Sequence, residues 1–311
     1  MIKRFVIGLL AVSSFQFASA QSDDFGYELS VAGETKLYRG LKLELEGSMR
    51  TQDNAERIDR FVLGVGLSSR LYQSLDKKFS VKASAGFDYL WINNLKEKDN
   101  KYFKADDDLV DDGYFNEGDL KGYNITDHYW RKRYKINPGL TISYSPDKRW
   151  SFSLKEIVQY SHYCDATTTR TKWRIDEYNS TVNDDETINW IISPYYYDNN
   201  YTGEDYLDAE GNVIGKHLDS SEITKVHKDR TILRSRLSVS YDIKGFPIDI
   251  FASVEYGCGL NYRANKWKFT GGYDYKINKK NKLSLYYRYN TENDDDEMNG
   301  HLVGLGYKID F

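Results

Sequence analysis

Serine and histidine side chains are the first residues to examine for chemistry, because a Ser–His pair beside a lipid surface can cleave or transfer acyl groups. His162 directly follows Ser161, and His301 lies in the last segment of the chain. Adjacent residues of a strand point to opposite faces, so this Ser161 and His162 pair could not act together. The chain also has no G-x-S-x-G sequence. We therefore predict no catalytic residue, and a lipid hydrolase or acyltransferase is the weakest alternative.

Acidic runs and cysteines offer two further kinds of chemistry. The runs Asp106-Asp107-Asp108, Asp111-Asp112 and Asp294 to Glu297 supply the oxygen ligands that divalent cations prefer, but they lack EF-hand spacing. We predict no metal site and no cofactor. Cys164 and Cys258 are the two cysteines, and whether they pair stays open because sequence alone cannot place two Cβ atoms within reach.

The largest chemically active set is a group of charged residues that face one side of otherwise apolar segments. Its members are Arg50, Arg60, Lys82, Asp88, Arg131, Arg133, Arg234, Arg236, Glu255, Lys268, Asp274 and Arg288, with Glu44 and Glu46 beside them. In a narrow barrel these side chains would point into the lumen. The favoured interpretation is a salt-bridged plug that replaces a hydrophobic core. The alternative is a basic constriction that selects small anions.

Strands of period two are the elements that must position these charges. Apolar faces begin near Phe25, Leu41, Phe61, Phe79, Trp130, Trp150, Leu233, Ile248, Trp267, Leu283 and Val303. The alternation from Phe79 to Trp91 is long enough to cross a bilayer. This pattern indicates eleven strands, whereas bacterial single-chain barrels normally have an even number. We expect ten to twelve strands, and an odd number would make the first and last strands pair in parallel.

Turns and aromatic residues distinguish a membrane barrel from a secreted β-sandwich, which is the soluble alternative. Short turns alternate with longer polar loops, and the longest segments without the pattern are residues 93–127 and 164–226. Aromatic residues flank the apolar faces at both ends, as in two interfacial girdles: Trp91, Trp130, Tyr160 and Trp267 at one end, and Tyr144, Trp150, Tyr241, Tyr275 and Phe311 at the other. We predict one barrel domain over residues 21–311 with long extracellular loops at 93–127 and 164–226.

The N-terminus and the composition set the compartment. Lys3 and Arg4 precede an apolar run and the small residues Ala18-Ser19-Ala20, which is the pattern of a secretory signal peptide over residues 1–20 cleaved near Ala20. The remaining chain has no apolar run of about 20 residues, which excludes a helical-bundle membrane protein. A net charge of −4 argues against nucleic acid as a partner.

The last residues, GHLVGLGYKIDF, place Val303, Leu305, Tyr307, Ile309 and Phe311 on one face. This segment resembles the closing strand of bacterial outer-membrane barrels. Together with FGYELSVAGETKLYRGLKLELEGSMR, the Asp59-Arg60-Phe61 step and DYKINKKNKLSLYYRYN, it makes the chain similar to Bacteroidota outer-membrane barrel proteins of the domain-of-unknown-function family numbered 2490. The resemblance implies a fold and a location, and it implies no activity.

These observations predict an all-β fold, a transmembrane up-and-down antiparallel barrel, in the outer membrane of a Gram-negative bacterium. We expect a structural or surface-interaction protein with a charged, plugged lumen. A narrow pore for small anionic solutes is the alternative, and a lipid-modifying enzyme comes third. The expected partners are outer-membrane lipids and the barrel assembly machinery, which would engage the C-terminal strand. The oligomeric state stays open.

Overall fold

The computed structural model describes residues 24–38, 40–105, 110, 114–182, 188–194, 196–197, 206–207, 213–215, 217–218, 220–292 and 300–311. The predicted signal peptide and the three acidic runs lie outside the described residues. Within these ranges, no helix combines the length and the apolar character needed to cross a membrane.

Strands form nearly all of the regular structure. In chain order they are β1 (Asp24–Tyr38), β2 (Leu41–Gln52), β3 (Arg57–Gln73), β4 (Phe79–Asn94), β5 (Glu97–Tyr102), β6 (Leu120–Thr126), β7 (Tyr129–Ile136), β8 (Gly139–Tyr144), β9 (Trp150–Tyr163), β10 (Ala166–Val182), β11 (Ile188–Pro194), β12 (Tyr196–Tyr197), β13 (Tyr206–Leu207), β14 (Val213–Gly215), β15 (His217–Leu218), β16 (Ser220–Lys225), β17 (Lys228–Asp242), β18 (Ile248–Gly259), β19 (Asn265–Lys276), β20 (Asn281–Glu292) and β21 (Gly300–Asp310).

The chain divides into two compact units. The barrel unit comprises Met1–Ile92, Lys132–Tyr163 and Lys228–Phe311, and the insertion unit comprises Asn93–Arg131 and Cys164–His227. Both segments of the insertion unit interrupt the barrel sequence between consecutive barrel strands. Each unit is described separately below.

A closed sheet of eleven strand crossings forms the barrel unit. Its hydrogen-bonded order is β17-β18-β19-β20-β21-β1-β2-β3-β4, followed by β7 with β8 and then β9, which pairs with β17 to close the ring. β7 and β8 act as one crossing. Asn137, which lies between these two strands, exchanges backbone hydrogen bonds of 2.8 and 3.2 Å with Gly86 of β4, so pairing with β4 continues from β7 into β8. The predicted fold class, a β-barrel of ten to twelve strands, is confirmed.

The seam of the barrel is the one parallel pairing in the ring. β1 and β21 run in the same direction from the pair Asp24 and Gly300 to the pair Glu34 and Asp310. An odd number of crossings forces this arrangement, since the first and last strands then point the same way. The backbone N–H of Phe311 donates to the carbonyl of Glu34 at 2.9 Å and extends the seam by one bond.

The outer face of the barrel is apolar and accessible. Leu29, Leu63 and Leu237 are 49%, 56% and 60% exposed, whereas the large apolar side chains of a water-soluble domain are mostly buried. On the closing strand, Leu305 and Phe311 are exposed on the same outer face. Strands that are apolar outward and polar inward are what a transmembrane barrel requires.

The insertion unit is a separate sheet. β6 and β10 pair antiparallel, and β5, β11 and β16 extend the sheet on either side. Tyr123 and Trp173 stack with ring centroids 5.6 Å apart. The sequence predicted long loops where the alternation is lost, at residues 93–127 and 164–226. The structure places strands in both segments. Cys164 and Cys258 are both free thiols.

Candidate functional site: the barrel lumen

The lumen has two distinct ends, which we name from the connections of the barrel strands. The turn end carries the short connections at residues 74–78, 145–149, 243–247 and 277–280, and the loop end carries those at 53–56 and 260–264. Inward side chains alternate along every strand between these ends, so each strand contributes a column of polar groups to the lumen.

A carboxylate clamp dominates the loop-end half. The Oε1 atom of Glu255 accepts hydrogen bonds from Nε and Nη2 of Arg234 at 2.9 and 2.7 Å, and its Oε2 accepts one from Nε of Arg236 at 2.6 Å. The Nη1 of Arg234 also donates to Gln159 at 2.7 Å. One acidic side chain on β18 therefore holds two guanidinium groups of β17, and it is 4% exposed.

The clamp continues along β9 to β7. The amide nitrogen of Gln159 donates to the hydroxyl of Ser161 at 3.1 Å, and Nη2 of Arg133 donates to the same hydroxyl at 3.3 Å. The guanidinium of Arg133 also lies 4.2 Å from the ring centroid of Tyr163, a cation–π contact. Hydrogen bonds thus connect four adjacent strands near the loop end.

A second cluster joins β2 to β3 around Asp59, which accepts hydrogen bonds from both Arg50 and Arg60. Asp59 and Arg60 are neighbours in sequence, yet both are buried. A β-bulge explains this, because the register shifts from Arg50 opposite Arg60 to Thr51 opposite Ile58 and leaves Asp59 as the extra residue. Strict alternation does not predict that Asp59 faces the lumen. The sequence signal for the bulge is the three-residue step between the apolar positions Ile58 and Phe61.

The third cluster crosses the seam. Glu28 of β1 accepts hydrogen bonds from the hydroxyl of Tyr286 and from Nη1 of Arg288, the latter at 3.2 Å. The Tyr286 ring lies over Gly304, where an added Cβ would fall 2.0 Å from its Cζ atom. Glycine is therefore required at position 304 for the ring to reach Glu28. Neither Glu28 nor Tyr286 belongs to the charged set predicted from the sequence.

Nearer the turn end the ion pairs are more exposed. Glu34 pairs with Lys42 and with Lys308, whose Nζ lies 2.7 Å from Oε2. Asp274 accepts from Nζ of Lys282 at 2.8 Å and from the Ser284 hydroxyl at 2.6 Å. These pairs complete a lumen in which most of the carboxylates have a cationic neighbour.

Burial changes steeply along the lumen axis. Ser161, Leu90 and Ile232, at the loop end, are 0%, 1% and 2% exposed. The inward side chain of Glu44, in the turn-end half, is 51% exposed. Side chains at the loop end of the lumen are therefore more shielded from water than those in the turn-end half.

A cavity of about 590 Å³ occupies the lumen between these ends. Its lining contains nine basic residues, Arg50, Arg60, Lys135, Arg234, Arg236, Lys268, Lys282, Arg288 and Lys308, and five acidic ones, Glu28, Glu46, Asp88, Glu255 and Asp274. A second cavity of about 260 Å³ is lined by several of the same residues. The lumen is thus net positive, although the whole chain is net negative.

Nine of the twelve members of the predicted charged set line the cavity of about 590 Å³, and Lys82, Arg131 and Arg133 are not among its lining residues. Arg131 belongs to the insertion unit, where its Nε and Nη2 donate to the backbone carbonyls of Cys164 and Val226 at 2.8 and 2.6 Å. It therefore joins the two ends of the second insertion. Asp88 accepts from the Asn137 amide at 2.7 Å, and Lys82 lies opposite Arg70 on β3 and Thr141 on β8.

The histidines considered for lipid chemistry make polar contacts on the outer side. The Nδ1 of His162 lies 2.7 Å from Asp229, which also accepts the hydroxyl of Tyr160 at 2.8 Å. Ser161 points into the lumen and is fully buried, so it cannot be the partner of His162. His301 contacts the hydroxyl of Tyr287. Among the described residues, no cluster of His, Cys, Asp or Glu has the arrangement of a metal site.

One carboxylate lies on the outer wall between apolar neighbours. Glu156 falls between Leu154 and Val158, which are 40% and 43% exposed. The hydroxyl of Ser235 on β17 donates to its Oε2 at 2.6 Å. A carboxylate on a lipid-facing wall is costly, and this hydrogen bond offsets only part of the cost.

Short turns hold a different kind of carboxylate. Asp147 accepts the backbone N–H groups of Arg149 and Trp150 at 2.7 and 2.9 Å. These hydrogen bonds favour the charged form and lower the pKa of the Asp147 carboxyl below its usual value. The turn is therefore stabilised by the ionised side chain.

Comparison with known proteins adds a family and two structural likenesses. Residues 25–300 match the model of a family described as protein of unknown function (DUF2490). No curated protein matches the chain. The toluene transporter TbuX of Ralstonia pickettii is 13% identical with a TM-score of 0.36, covering 83% of this chain and 67% of its own. The CymD monoaromatic hydrocarbon channel is 11% identical with a TM-score of 0.35, covering 88% of this chain and 85% of its own. Both TM-scores are low, and the fold assignment rests on the strand pairing described above.

Proposed function

Since the chain belongs to the DUF2490 family of proteins of unknown function, we propose that it is an integral outer-membrane β-barrel that presents its insertion unit outside the cell and does not conduct solutes constitutively. Its role would be structural or one of surface interaction. The supporting observation is the buried loop-end layer that runs from Arg133 to Glu255, because its linked side chains are largely shielded from water and hold one another in place. We also propose a Gram-negative host of the Bacteroidota and a signal peptide cleaved near Ala20.

Single-channel recording in planar bilayers tests the closed lumen. The purified full chain should give no conductance steps, while heat-modifiable migration on gels shows that the same preparation contains folded barrel. A steady conductance from wild-type protein would overturn the proposal. The lipids of the outer membrane and the barrel assembly machinery remain the predicted partners.

Epitope tags test the orientation. A tag inserted after Glu117, in an exposed turn of the insertion unit, should bind antibody on intact cells. A matched tag between Lys279 and Lys280, in a turn-end connection, should bind only after permeabilisation. Binding of the second tag on intact cells would mean that the barrel is inserted the other way.

A second candidate function is a narrow passage for small anions. The observation that favours it is the excess of basic over acidic residues around the cavity of about 590 Å³, since charged linings set selectivity in narrow pores. Under this hypothesis conductance would appear, and its reversal potential in a KCl gradient would shift toward that of chloride. An absence of current excludes this candidate.

A lipid-modifying enzyme is the least supported hypothesis. His162 and His301 are the residues to replace with alanine, separately and together. Unchanged lipid profiles in cells that carry these variants would end the hypothesis. We propose that the protein is not an enzyme.

A further inference from the structure

We propose that the lumen binds a small zwitterionic solute between β2 and β9, with the anionic group of the solute at Lys155 and its cationic group at Glu46. This site goes beyond the proposed surface role. It can fail without affecting that role, because neither the conductance measurement nor the epitope tags report on it.

Five other carboxylates of the lumen are paired with cations. Glu255, Asp59, Glu28, Glu34 and Asp274 each have at least one arginine or lysine nitrogen within ion-pair distance. These pairs are what a structural plug requires, because a charge removed from bulk water must be compensated locally. Any lumen charge outside this pattern needs a different explanation.

Glu46 and Lys155 are outside the pattern. Across the described ranges of the chain, neither side chain has a hydrogen bond or an ion pair within 4.0 Å. Both line the same cavity of about 260 Å³, with Glu44 on the side of Glu46 and with Arg234 and Arg236 on the side of Lys155. β2 and β9 are four crossings apart in the eleven-crossing ring. Two opposite charges therefore border one cavity without forming an ion pair with each other.

Strand register makes the β9 side the better anion site. Thr141 of β8 lies directly between Lys82 of β4 and Lys155 of β9. Neighbouring strands are about 4.8 Å apart, so the two lysines flank one hydroxyl within reach of a single carboxylate or phosphate. Arg236 is the next residue in this row, opposite Lys155. The β2 side instead offers the two carboxylates of Glu44 and Glu46.

Size and access agree with a small polar ligand. The cavities of about 260 and 590 Å³ share Glu46, Asp88, Arg234 and Arg236, and together they fall within the usual range of small-molecule sites, roughly 300–1,000 Å³. Their charged lining excludes an apolar ligand, which would leave these groups desolvated. The side chain of Glu44 is 51% exposed, so water reaches this part of the lumen.

A matched series of probes tests the site with the folded full chain in detergent micelles. The probes are 4-aminobutyrate, which carries both charges, butyrate, which carries only the anion, and butylamine, which carries only the cation. Isothermal titration calorimetry should show 4-aminobutyrate binding about tenfold more tightly than either single-charge probe. The substitutions Lys155→Met and Glu46→Gln should each weaken the binding of 4-aminobutyrate about tenfold.

Controls separate the site from general charge effects. Lys148→Met, in an exposed turn-end connection, removes the same charge and should leave binding unchanged. If Lys155→Met does not fold by heat-modifiable migration, Glu46→Gln decides the question alone, because it breaks no ion pair. Absence of 4-aminobutyrate binding would overturn the proposal. The proposal would also be overturned if butyrate bound as tightly as 4-aminobutyrate and Glu46→Gln did not change that affinity. This result would indicate a site for anions alone.

Discussion

Glu255 is the residue whose replacement should affect the lumen most. Its carboxylate accepts four contacts from two arginines: Nε and Nη2 of Arg234 at 2.9 and 2.7 Å, and Nε and Nη2 of Arg236 at 2.6 and 2.5 Å. Glu255→Gln keeps the size and one acceptor oxygen of the side chain but removes the negative charge. Two guanidinium groups would then remain side by side on β17 without their shared counter-charge.

The expected cost follows from the burial of the three groups. Removing one partner of a buried ion pair costs about 3–5 kcal/mol. The Glu255 side chain is 5% exposed, but the side chains of Arg234 and Arg236 are 21% and 40% exposed, so water can solvate part of the released charge. We therefore expect Glu255→Gln to lower the free energy of unfolding by about 3 kcal/mol, at the low end of that range.

Urea unfolding in lipid vesicles, followed by tryptophan fluorescence, measures this change. Arg236→Gln in the Glu255→Gln background should cost less than Arg236→Gln alone, because the pairwise interaction is already lost. Planar-bilayer recording of the same variant reports on the loop-end layer, since Arg234 also donates to Gln159. Occasional conductance steps are expected from the variant where wild-type protein gives none.

Asp53→Asn provides the matched control. Asp53 pairs with Arg57 at 3.3 Å in the connection between β2 and β3, with side chains 43% and 53% exposed. Loss of an exposed pair should change the free energy of unfolding by no more than about 0.5 kcal/mol. If Glu255→Gln is as mild as this control, the clamp does not stabilise the lumen and the reasoning is wrong.

Three further outcomes follow from single contacts. Gly304→Ala should lower the free energy of unfolding in urea by about 2 kcal/mol, because its Cβ would overlap the Tyr286 ring, and the loss should shrink in a Tyr286→Ala background. Glu156→Leu should raise the free energy of unfolding in phospholipid vesicles by about 1 kcal/mol by removing a carboxylate from the lipid face; a decrease would mean that Glu156 has a partner in the membrane. The lowered pKa of Asp147 stabilises the fold above the unfolded pKa of about 3.9, and this contribution is lost as pH falls through the folded pKa. Asp147→Asn should remove that part of the acid dependence in unfolding curves recorded below about pH 5, and an unchanged curve would contradict this assignment.

Strand periodicity determined much of the fold from the sequence alone. Alternation is a local property, since neighbouring side chains of a strand must point to opposite faces. It is sufficient to locate the apolar outer wall, to predict ten to twelve strands and to place Val303 to Phe311 on the outward face. An odd number of crossings requires β1 and β21 to pair in parallel, and the structure showed that the number is eleven.

Tertiary structure alone decided which charges meet. Glu28 binds Arg288, which lies 260 positions away in the sequence, because ring closure brings β1 close to β20. A local sequence pattern cannot predict a contact between residues so far apart in the chain. A single bulge turned Asp59 inward against the alternation that predicts its face. The buried loop-end layer and the cavity shared by Glu46 and Lys155 likewise depend on register around the whole ring. Periodicity is set residue by residue, whereas register is set by closure of the ring, and the lumen chemistry depends on the second.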